Sequence, residues 1–212
     1  MSDTLIDDLT KDLKPVKPLR NWPMWLGAGV GFLLAAAYVI GFYGLRPELA
    51  GAPMKFMAVG KPLLFLVTGA SALWAVSGLA RPEGWLKWRH VLPIAVMLVL
   101  VTGALGLDIG RSGMAAVADG LNGGMRLCYI TILCGGAAGL VALWRLWLRR
   151  TATSHPVTLG AMAGLAVGSF MAAAYSLHCT MDAPVYILAV YGLSVAILTA
   201  AAALIGGKLL RW

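Results

Sequence analysis

Residues 157–178 read VTLGAMAGLAVGSFMAAAYSLH, and this stretch decides the fold class. It runs for 22 residues without an aspartate, glutamate, lysine or arginine, and a helix needs about 20 apolar residues to cross the hydrocarbon of a bilayer. No period-two alternation of the barrel type runs through it. A helix is the solution that bonds every backbone N–H and C=O within the segment. Small residues recur every four positions at Gly160, Gly164, Gly168, Ala172 and Ser176, the pattern that lets helix backbones approach closely in lipid.

Outward from this segment, five further apolar stretches of spanning length occupy about 22–45, 60–80, 88–107, 125–147 and 184–206. Lys61-Pro62 opens the second, and Arg126 falls at the start of the fourth. The chain therefore reads as an all-α integral membrane protein. A six-transmembrane-helix bundle over residues 22–212 follows a short amphipathic cytoplasmic segment at residues 1–21. Composition agrees, since 60% of the 212 residues are hydrophobic and 12% charged, about half the charge of an ordinary soluble domain. Disorder and a disulfide-rich secreted scaffold are excluded on the same ground. Three cysteines without a Cys-x-x-Cys pair exclude a thioredoxin-like or zinc-ribbon motif.

The net charge of +8 follows topology. With a cytoplasmic N-terminus, that side holds twelve basic residues: Lys11, Lys14, Lys17, Arg20, Arg81, Lys87, Arg89, Arg145, Arg149, Arg150, Lys208 and Arg211. The other side holds five: Arg46, Lys55, Lys61, Arg111 and Arg126. The richer side is the cytoplasmic one, which gives a membrane protein with both termini in the cytoplasm. Trp22, Trp25, Trp85, Trp88, Trp144, Trp147 and Trp212 fall at that same interface, where an indole is favoured, and Trp74 does not. Basic loops facing anionic membrane lipids account for the charge, so direct nucleic-acid binding is not expected.

The N-terminal segment carries Leu5, Leu9 and Leu13 at four-residue spacing with Ile6 beside them, and Asp3, Asp7, Asp8 and Asp12 on the opposite side. This predicts a short amphipathic helix stopped at Lys14-Pro15. At about eleven residues such a helix is marginal alone and needs a surface. That surface is either the headgroup and bundle region or a partner protein; the acidic side favours the protein.

Span centres hold no ionisable residue, which weighs against a pump or transporter. Asp108, Arg111, Arg126, Asp182, His90, His155 and His178 fall at or near span ends. No Ser/His/Asp set, phosphate loop or metalloprotease motif occurs, so no enzyme is expected. In the fourth span Gly135 and Gly139 repeat the small-residue spacing, and the antiparallel register sets Gly135 level with Gly168 and Gly139 level with Gly164. Extending these faces at 3.6 residues per turn brings Cys128 and Cys179 to similar depth on packed faces. Such thiols can serve as small hydrophobes. They can also join as a disulfide or, with His178 and Asp182 nearby, hold a soft metal ion. Cys134 lies deeper and apart.

The opening Thr4-Leu5-Ile6-Asp7-Asp8-Leu9, then Asp12-Leu13-Lys14-Pro15-Val16, Leu45-Arg46-Pro47-Glu48-Leu49, Arg126-Leu127-Cys128, Tyr175-Ser176-Leu177-His178-Cys179 and the ending Leu209-Leu210-Arg211-Trp212 come in a distinctive order. Together they resemble the NrsF family of six-span bacterial membrane anti-sigma factors, nearly end to end. The resemblance implies that the N-terminal segment, through Leu5, Ile6, Leu9 and Leu13, holds an extracytoplasmic-function sigma factor away from RNA polymerase. It further implies that Cys128 and Cys179 sense heavy-metal or oxidative stress, with no obligatory cofactor and a sensed metal ion at the pair as one option. Cys134 falls outside the family pattern. A small transporter for a metal or other solute is the alternative reading.

Overall fold

A computed structural model describes residues 19–50 and 56–210, and six of the helices in it are long and apolar enough to cross a membrane. They are α1 (Trp22–Tyr43), α2 (Phe56–Leu79), α3 (Trp88–Ser112), α4 (Met125–Leu146), α5 (Pro156–Ser176) and α6 (Pro184–Leu209). Short helices at Pro47–Ala50 and Ala115–Leu121 ride in the loops, and no strand occurs among the described residues. The chain is a multi-pass membrane protein. Leu5, Ile6, Leu9 and Leu13 lie outside the described residues.

Two boundaries differ from the sequence reading. Helix α2 begins at Phe56, so Lys61 and Pro62 lie inside it. A proline this early removes a single helical hydrogen bond, and the lysine is neutralised by neighbouring groups instead of marking the interface. Helix α3 runs to Ser112 rather than 107, carrying Asp108 and Arg111 beyond the apolar stretch on a continuing helix.

Helix α5 is the hub, packing most extensively on α6 and α2, then on α4 and α1. The glycine contacts correct the expected pairing of α4 with α5. Gly160, Gly164 and Gly168 receive α6: a Cβ on Gly164 would stand 2.5 Å from the Leu198 carbonyl oxygen and 2.8 Å from Ala202 Cβ. Gly135 and Gly139 do face α5, but they accommodate the side chains of Met171 and Val167. The reason is angular. Positions 160, 164 and 168 form one ridge of α5, while 167 and 171 form another a part-turn away, so one helix serves two neighbours with two ridges.

Helix α6 contains a π-helical turn at Ile187–Gly192, which releases the Ala189 carbonyl to accept from the Tyr129 hydroxyl. The i to i+5 spacing of a π turn brings Tyr186 and Tyr191 to one side, with ring centroids 6.4 Å apart.

The two ends of the bundle differ in chemistry. At one, Leu19, Leu86, Trp147, Leu148 and Leu210 pack in a single apolar cluster, the Trp147 indole N–H donates to the Arg20 carbonyl at 3.0 Å, and Ser154 Oγ donates to the Pro82 carbonyl at 2.8 Å. The first and last described residues thus lie at the same end, as an even number of spans requires. The opposite end gathers Arg46, Lys61, Cys128, Cys179 and Asp182.

Candidate functional site

The site assembles where α1 runs into its following loop and where α5 gives way to the turn before α6. Arg46 leaves the membrane-spanning part of α1 but is only 1% exposed. Its guanidinium forks onto Asp182, with Nη1 to Oδ1 at 3.1 Å and Nη2 to Oδ2 at 2.7 Å, while Nε reaches Glu48 at 3.4 Å. The hydrogen bonds to Asp182 raise the Arg46 pKa above its ordinary value, against the opposing effect of burial. A planar guanidinium matches two carboxylate oxygens at once, which makes this a fixed link rather than a loose ion pair. The Arg46 backbone N–H adds a bond to the Leu177 carbonyl at 2.9 Å.

Lys61, 2% exposed, reaches the same turn from α2. Its Nζ donates to the Met181 carbonyl at 2.7 Å and the Cys179 carbonyl at 3.4 Å. It also lies 3.6 Å from Asp182 Oδ1 and 4.4 Å from the centroid of the Tyr191 ring. An ammonium buried without such partners costs several kcal/mol. Here carbonyls, a carboxylate and a ring face surround it.

Against this ionic cluster sit the two cysteines, contributed by the first turns of α4 and by the residues just after α5. Cys128 Sγ lies 2.9 Å from Tyr186 Oη and 3.4 Å from Tyr175 Oη. Cys128 and Cys179 belong to one buried cluster and open onto the same cavity. Both are buried free thiols. The neighbouring Cys128 side chain holds the Cys179 thiol well below its ordinary pKa, burial works the other way, and the nearby Lys61 ammonium reinforces the lowering. A thiolate is the nucleophile and metal ligand of cysteine chemistry, so the pair comprises one poised sulfur and one hydrogen-bond donor. A cavity of about 400 Å³ reaches both thiols, bordered by Tyr43, Arg46, Tyr175, His178 and Tyr186.

Of the residues singled out in the sequence, the structure brings Cys128 and Cys179 together and leaves Cys134 exposed on the outer surface of α4. Cys179 is 7% exposed, and the cavity gives it access. His178 and Asp182 do not join the sulfurs as ligands. The His178 Nδ1 is 3.1 Å from the Gly44 carbonyl oxygen, and the Asp182 carboxylate is committed to Arg46 and Lys61. Among the described residues no three His, Cys, Asp or Glu side chains form a metal-holding group.

Sequence reasoning missed Arg46, Lys61, Tyr175, Tyr186 and Tyr191 as parts of the site. One signal was available: Arg46 and Lys61 are among the few basic residues on the poorer side, and each stands directly before a proline.

A family model described as NrsF, negative regulator of sigma F, matches residues 9–212. The chain is similar to the Anti-sigma-F factor NrsF of Caulobacter vibrioides (strain NA1000 / CB15N), at 30% identity over 217 residues, covering 100% of this chain and 99% of that protein. No solved structure matches.

Proposed function

The chain belongs to the NrsF family of negative regulators of sigma factors, and from that premise we propose that it is a bacterial inner-membrane anti-sigma factor whose thiol pair controls its grip. Residues 1–21 form the cytoplasmic unit that sequesters an extracytoplasmic-function sigma factor through Leu5, Ile6, Leu9 and Leu13. Residues 22–212 form the membrane unit that responds to heavy-metal or oxidative stress at Cys128 and Cys179. The twelve-to-five distribution of basic residues supports cytoplasmic termini.

One observation carries the reading: the two thiols line one cavity together with Arg46, whose link to Asp182 fastens α1, and α1 is the helix that leads back to residues 1–18. With a thiol oxidant such as an azo compound, the Cys179 thiolate adds to the N=N bond. The Cys128 sulfur then attacks Cys179, the Cys128 proton and one from water go to nitrogen, and a disulfide and a hydrazine result. A soft ion instead draws both sulfurs into coordination and releases the Cys128 proton. Either event draws the two sulfurs together and shifts the residues flanking Cys179. Asp182 lies three residues further on, so its hold on Arg46 changes with them. The signal must favour one of two arrangements of the bundle for this to act as a switch.

The test is copurification. The intact chain should retain a cytoplasmic sigma factor and release it on treatment with diamide or Hg²⁺. Cys128→Ser and Cys179→Ser should each retain it under both reagents, and Cys134→Ala should release it as the unsubstituted chain does. Retention by the unsubstituted chain after verified modification of both thiols would end the proposal.

A further inference from the structure

The end of the bundle remote from the thiols carries a second polar cavity, of about 300 Å³, formed by the loop between α2 and α3. Arg81, Lys87 and Arg89 border it against a single acid, Glu83, so its charge is net positive. His90 also borders it and is 2% exposed. The His90 Nδ1 accepts from the Lys87 backbone N–H at 3.4 Å, which leaves the proton of the neutral ring on Nε2. That Nε2 is buried and has no hydrogen-bond partner. A buried donor without an acceptor costs free energy until one arrives. Three cations against one acid call for an anionic ligand, and a carboxylate supplies one.

We infer that this cavity docks the acidic side of the chain's own N-terminal segment, with Asp7, Asp8 and Asp12 as the ligands. Two observations select this occupant. The first is charge: the segment has Asp3, Asp7, Asp8 and Asp12 opposite its leucine stripe, whereas the cavity is basic. The second is where the segment is tethered. Asn21 borders the cavity itself, and the Arg20 carbonyl is fixed by the Trp147 indole, so the first described residues stand at the cavity's rim. Asp12 is seven residues before Leu19, a reach of up to roughly 25 Å when extended. Docking by the acidic side leaves Leu5, Leu9 and Leu13 turned away from the bundle. The cavity is then a platform that presents the leucine stripe, and this role rests on the reading of that stripe as the sigma-factor contact.

The experiment uses the full chain in phosphatidylcholine nanodiscs, with the photo-crosslinker benzoylphenylalanine replacing Trp85, which borders the cavity and is exposed. Irradiation should join position 85 to peptides within residues 1–18. Asp7→Arg with Asp8→Arg should lower that yield by about tenfold, the combined effect of several lost ion pairs and new repulsions. Adding Arg81→Glu with Lys87→Glu to the same chain should restore it. Cross-links that go to lipid or elsewhere in the bundle, or a yield indifferent to the charge reversals, would overturn the docking. Sigma-factor capture is read separately on the same nanodiscs. Capture abolished by Leu9→Asp alongside charge-indifferent cross-links leaves sequestration standing and removes the platform. Capture that survives Leu9→Asp removes sequestration, while the cross-links still decide the docking.

Discussion

Helices α1 and α5 are both glycine-bearing, apolar and near the spanning minimum in length, yet 11% of the most apolar part of α1 is buried inside the bundle against 61% of that of α5. The difference lies in what the glycines meet. Those of α5 admit the backbone of α6, whereas Gly27, Gly29, Gly31 and Gly41 of α1 have no neighbour within Cβ reach. Small residues permit close approach; they do not compel it. Helix α5 is therefore held along its length. Helix α1 touches the bundle along one narrow side, through Phe32, Ala35, Ala36 and Val39, and its polar ties fall near its ends, the Arg20–Trp147 bond at one and Arg46–Asp182 with the Tyr43–Thr131 hydroxyl pair at the other. A helix fastened in this way is suited to relay an event at one end of the bundle to the other.

The strongest way to break this contrast is to cut the ionic fastening of α1. Asp182→Ala leaves Arg46 and Lys61 buried with diminished compensation, and thermal unfolding in detergent should show a loss of about 3–5 kcal/mol, the usual cost of orphaning a buried charge. A loss below 1 kcal/mol would mean that Glu48 and water take over the guanidinium. Next comes the packing of α5. Gly164→Ala sets a methyl against the Leu198 carbonyl and Ala202, and the same assay should register about 1–3 kcal/mol of overpacking.

A smaller effect sharpens the chemical side of the comparison. In a Cys128→Ala, Cys134→Ala background Cys179 loses the neighbouring thiol that lowers its pKa most but keeps Lys61. Introducing Lys61→Met there should slow alkylation by iodoacetamide at pH 7 by roughly tenfold, equivalent to one pKa unit, and leave the rate at pH 10 unchanged. The sign follows from the lowered pKa: a nearby cation favours the thiolate, so its removal moves reactivity to higher pH. The least effect belongs to α1. Gly29→Ala should change stability by no more than about 1 kcal/mol, and in the stabilising direction, because alanine favours the helix and nothing stands in its way.

The six spans, their limits to within a few residues and the shared end of Cys128 and Cys179 were all readable from the chain, because bilayer thickness and helical pitch act locally on sequence. The ionic cluster was not. Arg46 and Asp182 are 136 residues apart, and an arginine before a proline in a short loop reads as solvated until another loop closes over it. Helix rotation escaped for a related reason. The Gly160, Gly164 and Gly168 ridge announces a close neighbour without naming it, and the choice of α6 over α4 depends on how several helices share the circumference of α5. The N-terminal leucine stripe lies outside the described residues, so its role stands on sequence and family alone.

The π turn at Ile187–Gly192 also fixes a phase relation along α6. A π turn amounts to one residue inserted into an α-helix, and one residue is about 100° of rotation. Tyr186, before the turn, lies against Cys128, whereas Leu198 and Ala202, after it, lie against the glycines of α5. Remove one residue from the turn and the helix can close into regular α geometry, but the tyrosine and the glycine contacts would then fall about 100° out of step. Either the thiol pocket or the α5–α6 seam could be kept in register, not both, so the helix has the character of a keyed shaft whose two ends were cut at different angles and joined by a single extra residue.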